Sequence, residues 1–195
     1  MLPGHKDTTG VISYHREGRP LFQCHPIEKP FLIYQVGSAT PDIAAQAAKM
    51  VSQDVSGIDL NCGCPKPFST SGGMGAALLS TPDLLCDILK AIRAAVPSDV
   101  SVSVKIRLLP TEEDTLDLVR KIIETKTVRA LTVHCRTRSM RNGERALLER
   151  LVPIVKLCRE LDPDLAVIQN GDCVSRDSAQ AVRDLTGEFE RSTST

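Results

Sequence analysis

The sequence predicts an α/β fold, an incomplete TIM-type (β/α)8 barrel, and three observations lead there. Short apolar segments alternate with amphipathic ones in five successive β-then-α units. The spacing of those units is about thirty-five residues, which suits βα repeats. Each strand segment also ends in polar residues: Gln35, Asn61 with Cys64, Lys105 with Arg107, His134 with Arg136, and Asn170 with Asp172. Alternation alone fits a doubly wound open sheet equally well. A barrel gathers all its strand ends at one mouth, whereas an open sheet gathers ligands only at a switch point, so five polar ends favour the barrel.

The first thirty residues are polar and carry a hairpin signal. Val11–Tyr14 and Pro20–Gln23 flank a turn at Arg16-Glu17-Gly18-Arg19. A strand follows at Phe31–Val36. A helix follows at Pro41–Gln53, with Thr40 as N-cap and Pro41 in the first helical position. Gly57–Asn61 reads as the next strand, followed by a long loop from Cys62 to Gly75. The helix Pro82–Ala95 is capped by Thr81. After strand Val100–Ile106, Thr111 caps helix Glu112–Glu124, and Asp114 stands close to a capping box. Strand Arg129–Val133, helix Glu144–Leu161, strand Leu165–Gln169 and helix Arg176–Leu185 complete the series. The expected organisation is a polar segment over 1–30, a partial barrel domain over 31–187 and a disordered tail over 188–195.

Composition excludes several functions. Lys+Arg 24 balance Asp+Glu 24, which argues against a dedicated polyanion binder. With Trp 0, Tyr 2 and Phe 4, stacking platforms for single-stranded nucleic acid are not expected. Nothing approaches eighteen consecutive apolar residues, so no membrane span is expected. The N-terminus lacks the apolar run of a secretory signal. Seven cysteines, an odd number spread over the chain, do not form a disulfide framework and point to a reducing compartment. Cys62 and Cys64 have no second Cys/His pair at metal-site spacing, so no metal is expected.

The strand-end residues carry the chemistry. Lys105, inside Ser-Val-Lys-Ile-Arg, is a cation at the mouth that can neutralise an electron-rich ring or a phosphate; its bland reading is an edge-exposed lysine. His134 can donate a hydrogen bond to a ligand or be a satisfied core histidine. Cys64, between Gly63 and Pro65 just past a strand, can act as acid, base or nucleophile, or be an inert thiol. No G-x-G-x-x-G follows a strand. Gly72-Gly73-Met74-Gly75 lacks the P-loop ending, so it reads as a close approach of backbone to ligand or a flexible loop.

Together these residues resemble one family, the flavin-dependent tRNA dihydrouridine synthases. The carrying motifs are Tyr34-Gln35-Val36-Gly37-Ser38, Asp59-Leu60-Asn61-Cys62-Gly63-Cys64-Pro65-Lys66, Gly73-Met74-Gly75-Ala76-Ala77-Leu78-Leu79, Val104-Lys105-Ile106-Arg107, Val133-His134-Cys135-Arg136-Thr137-Arg138 and Asn170-Gly171-Asp172. His25-Pro26-Ile27-Glu28-Lys29 and Phe68-Ser69-Thr70-Ser71-Gly72-Gly73-Met74 resemble the eukaryotic branch that modifies position 20 of the tRNA D-loop. The resemblance implies an FMN-binding TIM barrel in which NADPH reduces the flavin. A flipped-out uracil then takes hydride at C6 and a proton at C5. By position the proton donor is Cys64, while Cys62 stands where the family varies. Gln35, Lys105 and His134 match flavin-contacting positions. Asn170, Gly171 and Asp172 match a loop beside the ribityl-phosphate chain, and Asn61 a uracil-contacting asparagine. Arg107, Arg136 and Arg138, at or just beyond strand ends, read either as holding flavin or tRNA phosphates or as solvated arginines.

The family's first two strands, its eighth strand with a Gly-Arg turn and its helical domain are not matched, so about strands 3 to 7 are expected. That keeps two alternatives open: an inactive truncated fragment of such an enzyme, and a non-catalytic RNA-binding remnant. A dihydroorotate-type dehydrogenase is disfavoured by Cys64-Pro65-Lys66 and the downstream Gly-Met-Gly-Ala. The expected partner is tRNA and the expected location cytoplasmic, nuclear or both; the oligomeric state is left open.

Overall fold

The computed structural model describes residues 4–141 and 143–187; the tail expected over 188–195 lies outside the described residues. Strands β1 (His5–Lys6), β2 (Ile12–Arg16) and β3 (Arg19–Cys24) form a small antiparallel sheet. The expected hairpin is β2–β3. Glu17 (φ 51°) and Gly18 (φ 76°) both take left-handed backbone between the paired Arg16 and Arg19, as a two-residue hairpin turn demands. Two aromatic side chains anchor the hairpin to the rest of the chain. Tyr14 is fully buried, its hydroxyl donating to the Asp54 carboxylate and lying 3.3 Å from the Met50 carbonyl, and the Phe22 ring meets Tyr34 edge-on at 4.7 Å.

The strand expected from Phe31 begins later. Pro26–Phe31 is a 3-10 helix, and β4 spans only Ile33–Val36. Pro26 and Pro30 fix φ near helical values, and a capping box closes the start: the Glu28 carboxylate accepts from the His25 N–H at 2.7 Å, and His25 Nδ1 accepts from the Ile27 N–H at 3.3 Å. Helix α1 (Pro41–Val51) starts at Pro41 as expected, although the Thr40 side chain makes no capping bond. Strand β5 is Gly57–Cys62, and the long loop after it contains one short turn of helix, α2 (Pro67–Thr70), and a 3-10 stretch at Gly75–Ser80. Helix α3 (Pro82–Ala95) has the expected bounds, again without a side-chain bond from its threonine cap.

Strand β6 (Ser101–Leu108) and strand β7 (Ala130–Thr137) run further than expected, so Arg107, His134 and Arg136 stand within strands. Between them, α4 (Glu112–Glu124) has the expected bounds, and Thr111 Oγ1 accepts from the Asp114 N–H at 3.1 Å. Helix α5 spans Leu151–Leu161, not the expected 144–161. Pro153 is the reason: proline lacks the N–H and crowds the carbonyl four residues back, so it is tolerated only in a helix's first turn. Strand β8 (Ala166–Asn170) and helix α6 (Arg176–Thr186) follow, with Gly187 at φ 70° ending α6.

The five strands β4 to β8 form one parallel sheet in chain order, with no reversal. A doubly wound sheet requires a switch point, and this sheet has none. The core lies on one face. Ile58, Leu60, Val102, Val104, Ile106, Leu131 and Val133 are fully buried in one cluster with Ala44, Ala48, Leu89, Ile92, Val119 and Ile122 of the helices. The alternate positions are polar: Gln35, Asp59, Asn61, Ser103, Lys105, Thr132 and His134. One face packed on helices and a second face that is polar apart from Ile33, Ala130 and Ile168 make an arc of a barrel.

Candidate functional site

Register puts the polar face in order. Gln35 lies opposite Asp59 and Asp59 opposite Ser103; Asn61 lies opposite Lys105; Arg107 lies opposite His134 and His134 opposite Asn170. The period of two in a strand keeps Asp59 and Asn61 on one face, as it does Ser103, Lys105 and Arg107.

These side chains bond to one another. Asp59 accepts from Gln35 Nε2 at 2.8 Å and from Ser103 Oγ at 2.7 Å. Gln35 Oε1 accepts from Asn61 Nδ2 at 3.0 Å. Asn61 Oδ1 then accepts from the backbone N–H groups of Gly63 at 3.0 Å and Cys64 at 3.1 Å. The Cys64 carbonyl in turn accepts from the Ala76 N–H at 2.9 Å. Gly75 makes this closure possible: at φ 60°, a Cβ there would lie 2.6 Å from the Cys64 carbonyl oxygen and from Ser69 Oγ. The glycine-rich stretch is therefore a close backbone approach within the protein, made against the cysteine loop.

Cys64 is half-buried at this end of the sheet, whereas Cys62, two residues earlier, points into the core. Burial pushes the Cys62 thiol well up, and it pushes Cys135 up to about 11. The sheet's alternation thus separates an accessible thiol from an inert one.

Three cations stand at this end of the sheet, Arg107 among them beside Cys64. Lys105 Nζ donates to Asn170 Oδ1 at 2.8 Å; burial lowers its pKa, Arg107 adds to that, and Asp59 opposes it. Arg107 is buried and donates through Nε to the Gly63 carbonyl at 2.8 Å and through Nη1 to the Thr137 carbonyl at 3.1 Å. Arg136 is buried as well. It donates to the Glu144 carbonyl at 2.6 Å and pairs with Asp172, whose other oxygen accepts from the Ala146 N–H at 2.7 Å. That backbone bond, first, and Arg136 hold the Asp172 carboxyl below the ordinary carboxylate range. Three cations face two carboxylates, Asp59 and Asp172, so the mouth suits an anionic or electron-rich ligand.

His134 lies 3.3 Å from Arg136 Nη1 through Nε2. A guanidinium only donates, so Nε2 accepts and the ring proton sits on Nδ1. Burial, with Arg107, Lys105 and Arg136 around it, lowers the His134 pKa from 6.5 to about 4. At neutral pH this side chain is a neutral donor through Nδ1. In the unfolded chain it takes a proton near its ordinary value, so between pH 6.5 and about 4 the unfolded state binds more protons and stability falls as the pH falls. Thermal melting across that window is expected to show the loss, and His134→Gln to flatten it; an unchanged slope in the variant would remove this assignment.

These residues fall into three bonded groups on one face of the sheet: Gln35, Asn61, Cys64 and Arg107, joined through Gly63; Lys105 with Asn170; and His134, Arg136 and Asp172, with Gly171 (φ 107°) beside the last. A Cβ on Gly171 would lie 3.2 Å from the His134 ring. Arg138 is exposed and stands apart. It lines a cavity of about 460 Å³ with Leu79, Leu108, Leu109 and Thr137. Sequence reading missed Asp59 and Ser103, although period-two alternation from Asn61 and Lys105 pointed to both. No group of His, Cys, Asp and Glu suited to a metal occurs among the described residues.

Residues 11–189 match the family described as Dihydrouridine synthase (Dus). Over 157 residues the chain is 53% identical to tRNA-dihydrouridine(20) synthase [NAD(P)+] of Schizosaccharomyces pombe, covering 80% of this chain and 32% of that protein. The Saccharomyces cerevisiae protein of the same name is 48% identical over 150 residues, covering 75% of this chain and 39% of that one. The chain therefore spans between about a third and two fifths of these relatives' length. The solved structure of 2,3-dimethylmalate lyase superposes with a TM-score of 0.54 at 13% identity, over 84% of this chain and 56% of that one, a likeness of fold alone.

Proposed function

Because the chain belongs to the dihydrouridine synthase family, we propose that its mouth is the catalytic centre of a tRNA-dihydrouridine synthase, reducing uridine 20 of the D-loop with FMN as cofactor and NADPH as reductant. The names of the two relatives support the reaction and the position. The observation that carries the reading is a half-buried cysteine on a loop clamped to Asn61, at the strand ends of the sheet that also bear a half-buried lysine and a neutral histidine.

The donor set fits a flavin. Lys105 spends one of its N–H groups on Asn170 and keeps its charge for the electron-rich edge of a reduced ring. His134 offers its Nδ1 proton, Gln35 an amide, and Gly171 a bare backbone beside them. When bound and reduced, FMN supplies hydride for C6 of a uracil extruded from the tRNA. Cys64 gives its thiol proton to C5, the resulting thiolate takes a proton back from solvent, and the product is 5,6-dihydrouridine. Asn61 binds the uracil. Arg107 and Arg136 are held by carbonyls and by Asp172, so they shape the mouth, and phosphate contact falls to the exposed Arg138.

The test is direct. The purified chain is expected to show visible flavin absorbance and to form dihydrouridine in unmodified tRNA with NADPH. Lys105→Met is expected to weaken flavin retention by about tenfold or more, the value of a lost charge-assisted contact. A colourless preparation would overturn activity for this chain and favour the inactive-fragment reading.

A further inference from the structure

We propose that Asp59 is a positioning residue that fixes which end of the Asn61 amide faces the mouth, and that the protein thereby selects a base carrying a carbonyl over one carrying an amino group at the contacted position. The selectivity half rests on the proposed function; the positioning half does not.

An amide side chain has two orientations that exchange a donor for an acceptor. The network removes that freedom. Asp59 is buried, and an ionised carboxylate only accepts, so Gln35 must turn its NH2 towards it. Gln35 then presents its oxygen to Asn61, and Asn61 must answer with its own NH2. The Asn61 oxygen is left for the backbone N–H groups of Gly63 and Cys64, where it is found. Ser103 from the next strand secures the second carboxylate oxygen and stops Asp59 from turning. Polarity runs in one direction from a buried charge on β5 to the loop that carries Cys64.

The consequence for a ligand comes from counting groups. The Asn61 oxygen already holds two backbone donors, and one of its two N–H groups is taken by Gln35. What remains is one N–H. It can donate to a base carbonyl, and it meets an exocyclic amino group donor to donor.

The test reverses the chain's polarity at chosen points in the full chain. Hydrogen exchange of the peptide containing the Gly63 and Cys64 amides is expected to speed up by about five- to tenfold in Asp59→Asn, the loss of about one net hydrogen bond. Gln35→Glu, at an exposed position and so compatible with folding, is expected to do the same by setting a second carboxylate against Asp59. The double variant Asp59→Asn with Gln35→Glu restores an acceptor for Asn61 and a donor for its neighbour, and should return exchange to within about threefold of wild type. A packing role predicts additive losses instead. No acceleration in the single variants, or no rescue in the double, overturns the positioning role. In parallel, the affinity ratio for D-loop RNA with uridine or cytidine at the target should collapse in Asp59→Asn and recover in the double variant. Normal exchange behaviour with an unmoved ratio overturns the selectivity half. Failure of the wild type to bind the uridine RNA at all counts against the proposed function, while the exchange result still decides the positioning role.

Discussion

Cys64→Ala is expected to lower dihydrouridine formation by about 10²–10⁴-fold, the usual value of a positioned proton donor, with flavin absorbance and melting temperature close to wild type. The small stability effect follows from the site: Cys64 is only half-buried, and its loop is held through backbone atoms that alanine retains. Cys62→Ala is the matched control. That thiol is fully buried and pushed well up by burial, so its loss costs packing and leaves turnover per folded molecule intact. Mass spectrometry of the product tRNA reads both variants. Undiminished activity in Cys64→Ala would remove the residue from its role, and a severe loss in Cys62→Ala with normal stability would move the role two residues back.

Gly75→Ala carries the second large effect, on stability and activity together. A left-handed backbone costs a non-glycine residue about 1–2 kcal/mol before any contact is considered. The new methyl would also lie 2.6 Å from the Cys64 carbonyl oxygen, a backbone atom that cannot rotate away, and 3.1 Å from Cys64 Cβ. The loop must move to admit it. Melting is expected to fall by about 4–8 °C for about 2 kcal/mol in a domain of this size. Turnover is expected to fall beyond what the unfolded fraction explains, because the displaced atoms belong to the residue that gives the proton. Gly143→Ala, where a Cβ meets nothing within 4 Å, is the neutral comparison. A Gly75→Ala protein that melts like wild type would show that the loop is not clamped at this point.

Much of the arrangement is legible in the sequence. Helices α3 and α4 carry their start signals in Thr81-Pro82 and Thr111 with Asp114, and their bounds match. The hairpin is visible because Glu17-Gly18 sits between two β-prone runs. Where the reading failed, a proline or a second strand explains it. Pro153 delays α5, and Pro26 with Pro30 delays β4, because a ring that fixes φ outweighs an apolar run. Neighbouring strands lengthen β6 and β7, since pairing to Thr137 depends on a partner that a single segment does not reveal.

The site shows the same division. Residue types at strand ends named Gln35, Asn61, Cys64, Lys105, His134 and Asn170, because a strand's alternation is local and its polar exceptions stand out. Their linkage was not legible. That Asp59 anchors Gln35, that Arg136 is spent on Asp172, and that Arg107 grips the Gly63 carbonyl depend on register across the sheet. Sequence by itself determined the order of elements and the chemistry available at one end of the sheet, since both follow from short-range periodicity and side-chain type. Tertiary structure alone decided which donor meets which acceptor, because hydrogen bonds depend on ångström-scale distances between strands far apart in the chain.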